Sequence, residues 1–172
     1  MKSTKNLLLI LASLSFVSIM GAAIYEVIST TPQWSAAPPL SLTMFQGKYG
    51  LNSGVFWMII HPVTILFLVA ALIANWKNSR RKRILWVFSI YILILIVTAT
   101  YFVPELVHII TSPYQNQVDP DLQSQAALWE KLSFARLCLV VLLSVVLLSA
   151  LTKPADNLND RINEQGNQRL SH

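Results

Sequence analysis

Eight side chains able to do chemistry stand within or beside long apolar runs: Glu26, His61, Tyr101, Glu105, His108, Trp129, Glu130 and Arg136. Arg136 with Glu105 or Glu26 would grip an anionic or polar ligand, or form a structural ion pair. His61, followed by Pro62, would handle protons at a weakened point of a helix, or hydrogen-bond to a neighbouring helix. Glu105-x-x-His108, with Glu26, Glu130 and His61, has the residue types of the di-iron carboxylate bundles. That pattern needs two Glu-x-x-His pairs and one occurs here, so neither a metal nor a cofactor is expected.

The elements that must position these groups are membrane helices. Residues 7–25, 55–74, 84–103 and 132–151 form four apolar runs. Each is about twenty residues, roughly 30 Å of helix, which matches the hydrocarbon core. Backbone groups in lipid must be satisfied within their own segment, so the runs are helices. The expectation is an all-α, integral-membrane four-helix bundle over residues 1–152, with helices at about 6–28, 54–75, 84–110 and 120–151. The polar stretch 153–172 reads as a cytoplasmic tail. Asp119-Pro120 reads as N-cap and first residue of the last helix, and Asn52 and Ser53 as caps of the second. Lys2, Lys5 and the small residues around Gly21 give the first run a likeness to a secretory signal. Its apolar character continues to Ile28, so an uncleaved helix is expected.

Composition agrees with lipid surroundings. Hydrophobic residues make up 54% and charged residues 12% of the chain, against about a quarter charged in aqueous domains. Five positive charges lie among the seven residues 77–83, between the second and third runs. Basic loops stay on the cytoplasmic side, which places both termini inside and makes this a multi-pass protein of the cell (inner) membrane. The inner segments then hold ten Lys/Arg and three acids, the outer ones two Lys and five acids. Topology therefore accounts for the net charge of +5 and the pI near 9.6, and no nucleic-acid partner is expected. Cys138 is the only cysteine, which excludes an intrachain disulfide.

Helical phase gathers the polar residues. Thr98, Tyr101, Glu105 and His108 fall on one face; so do Trp129, Ser133 and Arg136, and likewise Trp57, His61 and Thr64. Ser15, Ser18, Ala22 and Tyr25 or Glu26 form a small-residue stripe suited to close helix contact. The polar faces lie in the outer thirds, while the inner halves are mostly Leu, Ile and Val. The expected object is an outward-facing polar pocket for a small, partly apolar molecule: a lipid, a quinone or an aromatic. Glu26, His61, Tyr101, Glu105, His108, Glu130 and Arg136 would line it. An ordered first outer loop, residues 29–53, would help to cover it through Trp34, together with Trp129. No ionisable relay crosses the inner halves, which argues against a proton-driven transporter. An accessory subunit of a membrane complex is the alternative, with a second copy of the chain or another membrane protein as partner.

Tyr25-Glu26, Trp34, Pro38-Pro39, Phe45-Gln46-Gly47, Phe56-Trp57, His61-Pro62, Trp76, Arg80-Arg81, Tyr101 to Leu106, Trp129-Glu130 and Arg136 together resemble a small bacterial integral-membrane family of unassigned function. In size and four-span layout the chain is similar to the anthrone-oxygenase-like membrane proteins, over roughly residues 6–152. That resemblance implies cofactor-independent oxygenation of a polycyclic aromatic. It carries no catalytic residue across by position.

Overall fold

Long runs of Leu, Ile and Val close their backbone hydrogen bonds locally, and the computed structural model, which describes residues 2–154, is all-helical with no strand among those residues. Helix α1 spans Lys2–Tyr25, passes through a π-helical turn at Glu26–Thr30 and continues as α2, Thr31–Ser35. A 3-10 turn, Leu40–Phe45, precedes α3 at Gly54–Ala74. Helix α4, Arg81–Val97, passes through a second π-helical turn at Thr98–Phe102 into α5, Val103–Ile110. Helix α6 is Pro120–Leu151. Four rods are thus long and apolar enough to cross a membrane: Ser3–Ser35, Gly54–Ala74, Arg81–Ile110 and Pro120–Leu151. The expected tail lies outside the described residues beyond position 154.

The rods form a ring in which α1 packs on α3 and α6, and α4 packs on the same two helices. At most 33% of the most apolar stretch of any rod is buried inside the protein. Met58, Leu66, Ile73, Trp86 and Leu142 all point outward. So large an apolar exterior is stable only against lipid.

The interior holds two cores. The larger joins Phe16 and Ile19 of α1, Leu68 of α3, Tyr91 of α4, and Leu143 and Leu147 of α6. The smaller joins Trp34, Leu42, Phe102, Ile109, Leu122 and Trp129, so residues 34–45 cap one end of the bundle. The cap is tied down where Asp119 N–H donates to Pro38 O (3.0 Å) and Gln123 Nε2 donates to Ala36 O (2.9 Å). Gly47 turns the chain with φ +76°, and a side chain at Gly50 would clash with the Phe45 carbonyl. Asp119 caps α6, accepting from the amides of Asp121 and Leu122 at 2.9 and 3.2 Å. The expected caps on α3 are different: the Ser53 side chain makes no cap bond, and the helix start is bonded through Ser53 O.

The opposite end is closed by arginine. Antiparallel packing brings the start of α4 beside the end of α6, whose last carbonyls lack partners within their own helix. Arg80, 4% exposed, donates from Nε to Lys153 O (2.7 Å), from Nη1 to Asn6 Oδ1 (2.6 Å) and from Nη2 to Leu151 O (3.5 Å). Arg83 donates to the backbone and hydroxyl oxygens of Ser149. Cations at the start of α4 oppose its own dipole but complement the negative end of α6.

Each π-helical turn is followed by a proline, whereas Pro62 lies within the regular α-helix of α3. Glu26 and Thr98 open the two turns, and the proline stands six residues on, at Pro32 and Pro104. A proline ring clashes with the carbonyl four residues before it. Widening the turn relieves the clash, with Thr31 N–H donating to Glu26 O and Val103 N–H to Thr98 O. The wide turn adds one residue, so the inward positions after Thr98 are Phe102, Leu106 and Ile109. The expected face of Thr98, Tyr101, Glu105 and His108 is therefore corrected: after Thr98 it rotates out of the interior, leaving Tyr101 and Glu105 partly buried and His108 exposed. On α1 the inward positions are Ala12, Phe16 and Ile19, while Ser18 and Tyr25 are exposed.

Arg80→Ala should lower stability in detergent by about 3 kcal/mol, because buried helix-end carbonyls lose a charged donor. Arg80→Lys should recover only part, since an ammonium cannot bridge the same acceptors in a planar fork. Thermal unfolding monitored by circular dichroism measures both.

Candidate functional site

On the inward face of α6, Ser133 and Arg136 lie between the two cores, below Trp129 and above Val140. Arg136 is partly buried and donates from Nη1 to Thr98 Oγ1 at 3.3 Å. The Thr98 hydroxyl in turn donates to Ile94 O at 2.7 Å. The guanidinium carbon sits 4.1 Å from the centre of the Phe102 ring and 6.0 Å from that of Trp129, an arrangement that holds a cation over aromatic faces. Trp129 Nε1 donates to Phe102 O at 3.0 Å, so one π-helical turn supplies both the ring beneath Arg136 and the anchor of its neighbour. Trp34 packs edge-on against Trp129 at 5.3 Å, and Ser35 Oγ donates to Glu130 Oε2 at 2.8 Å.

The other π-helical turn supplies Glu26. Its Oε1 accepts from Trp57 Nε1 at 3.0 Å, and the Trp57 ring stacks on His61 with centroids 5.3 Å apart. His61 Nδ1 and the Tyr91 hydroxyl share a hydrogen bond of 2.7 Å. Tyr91 is 1% exposed and packs edge-on against Phe16 at the bundle centre.

Between Glu26 and Arg136 lies a cavity of about 20 Å³, also lined by Ser133, Trp129 and Thr31. That volume admits one water molecule, which needs two to four polar partners. Ser133 Oγ is buried without a partner and borders this space. Across Val27, on the outer side of the α1–α6 seam, is a groove of about 610 Å³ lined by Val27, Ile28, Ala127, Glu130, Lys131 and Phe134.

The structure therefore brings Glu26, Trp129 and Arg136 around one cavity, with Trp34 covering Trp129 and Glu130 at the adjoining groove. His61 belongs to the same chain of contacts through Trp57, but its hydrogen bond is made to Tyr91. Tyr101 packs edge-on against Phe102 at 5.3 Å. Glu105 and His108 lie apart: among the described residues neither side chain has a hydrogen-bond partner, and Thr98 takes the Arg136 hydrogen bond that the sequence offered to Glu26 or Glu105. No three His, Cys, Asp or Glu side chains among the described residues are placed to hold a metal ion.

Tyr91 and Phe102 were not among the residues that the sequence singles out. Tyr91 carried a signal: it precedes Thr98 by seven residues, two helical turns on the same face. Phe102 stands four residues after Thr98, on the same face even of a regular helix, but as an apolar residue in an apolar run it carried no signal of a role.

No protein-family model, curated protein or solved structure matches this chain, so its site is characterised by geometry alone.

In Pro104→Ala, residues 98–102 should return to α-helical register, with Val103 N–H donating to Ala99 O. A solved structure of the variant reads this directly; persistence of the wide turn would show that the proline is not its cause.

Proposed function

We propose that this protein crosses the cytoplasmic membrane with both termini inside and binds a small amphipathic molecule along the α1–α6 seam at the end opposite the basic loop. The orientation rests on Lys77, Arg80, Arg81, Lys82 and Arg83, since clustered cations between spans are retained on the cytoplasmic side. The binding reading rests on one observation, the groove of about 610 Å³ with its apolar floor and charged rim. Its size falls within the range of roughly 300–1,000 Å³ common to small-molecule sites. The inner cavity between Glu26 and Arg136 is too small for any such ligand and acts as the wall behind it.

Of the three ligand classes that the sequence suggests, a lipid fits this groove best. Ile28 is 70% and Phe134 57% exposed, so the floor faces the bilayer, from which a lipid enters sideways. A quinone or a free aromatic would gain more from an enclosed slot.

Orientation is checked with single cysteines in a Cys138→Ser background. Lys48→Cys should react with a membrane-impermeant thiol reagent on intact cells, and Lys82→Cys only after lysis; the reverse pattern would overturn the topology. For binding, native mass spectrometry from lipid nanodiscs should show a one-to-one adduct. Val27→Trp or Ala127→Phe, which fill the groove, should remove the adduct with helix content unchanged. An adduct that survives both substitutions would place the ligand elsewhere.

A further inference from the structure

The depth of the groove identifies the part of a lipid that it meets. Helix α6 has 32 residues, more than the hydrocarbon core requires. Counting about 20 residues back from Leu151, at 1.5 Å each, fills the roughly 30 Å core and ends at Leu132. Lys131 then stands at the boundary and Phe134 just inside it, while Ala127 is roughly 6 Å beyond, in the headgroup layer. The groove therefore straddles the level at which acyl chains give way to headgroups.

The rim at that level carries one cation and one carboxylate from adjacent residues. Glu130 Oε2 accepts from Ser35, leaving Oε1 open, and Lys131 is exposed with no partner among the described residues. Arg136 is not part of this rim, being held behind Val27 on Thr98 and Phe102. A net-anionic headgroup would satisfy Lys131 but leave Glu130 without a cation. A zwitterion satisfies both. The carboxylate also needs N–H donors to form a charge-assisted hydrogen bond, which a primary ammonium has and a trimethylammonium lacks.

We propose that the groove selects a zwitterionic phospholipid with a primary-amine headgroup, its phosphate on Lys131, its ammonium on Glu130 and its first methylenes on Val27, Ile28 and Phe134. This rests on the groove being a lipid site and adds the headgroup chemistry.

The test is native mass spectrometry of the full chain from nanodiscs containing equal phosphatidylethanolamine, phosphatidylglycerol and phosphatidylcholine with matched acyl chains. The retained lipid should be phosphatidylethanolamine, by roughly tenfold over each competitor, the effect of one hydrogen bond to a charged group. Glu130→Gln should abolish the preference over phosphatidylglycerol. Lys131→Gln should lower retention of all three phosphate-bearing lipids, and Lys48→Gln, which removes an exposed cation outside the groove, should leave the preference intact. Retention without headgroup preference, retention that favours phosphatidylglycerol, or a preference indifferent to Glu130→Gln would overturn the headgroup assignment while leaving the lipid reading standing. Absence of any retained lipid would overturn the lipid reading itself.

Discussion

The bundle depends on the seating of Arg80 against the end of α6. A helix that ends at a membrane boundary leaves carbonyls without intrahelical partners, and water reaches them poorly when neighbouring helices crowd the site. Arg80 meets the carbonyl of Leu151, the last residue of α6, and that of Lys153 just beyond it, and also reaches Asn6 on α1. One side chain from the α3–α4 turn thereby joins the ends of α1, α4 and α6. Arg83 repeats the contact one turn deeper on Ser149. The basic loop is thus a fastening as well as a topological marker, leaving Lys77, Arg81 and Lys82 for the headgroup layer, with Arg81 lying over Trp76 at 5.1 Å.

With one end fastened, the polar layer toward the other end can be irregular. Two prolines, each six residues beyond a polar residue, widen α1 and α4 into π-helical turns. The turn on α4 offers Thr98 and the Phe102 ring to Arg136 and the Phe102 carbonyl to Trp129; the turn on α1 brings Glu26 to Trp57. A guanidinium is tolerable at this depth because aromatic faces and a hydroxyl replace part of its hydration. Between the turns the open volume is no larger than a water molecule, so the layer works as a hydrogen-bonded partition between two hydrophobic cores. Ligand-sized space lies outside it, in the groove beside Val27.

Much of the architecture was legible beforehand because the bilayer leaves few alternatives. Four apolar runs of membrane length become four rods, and Asp119-Pro120 starts α6 as its residue types require. The aromatic loop was legible as a cap from Trp34 and its prolines, although the depth to which Trp34 and Leu42 are inserted was not. Glu26, Trp129 and Arg136 drew notice in the sequence because polar groups within or beside apolar runs are conspicuous. Glu105 and His108 were misplaced by a single assumption, a constant 3.6-residue period continued through a proline.

What the sequence by itself determined is the set of rods, their polar ends and the basic turn, since composition and backbone satisfaction act locally along each run. Which side chains meet was decided only by the tertiary structure. A widened turn slips the helical phase by one residue, placing Phe102 and Ile109 in the core while Tyr101 and Leu106 pack at its edge, Glu105 is half-buried and His108 is exposed. The groove beside Val27 likewise comes from packing between distant segments, which no local pattern encodes.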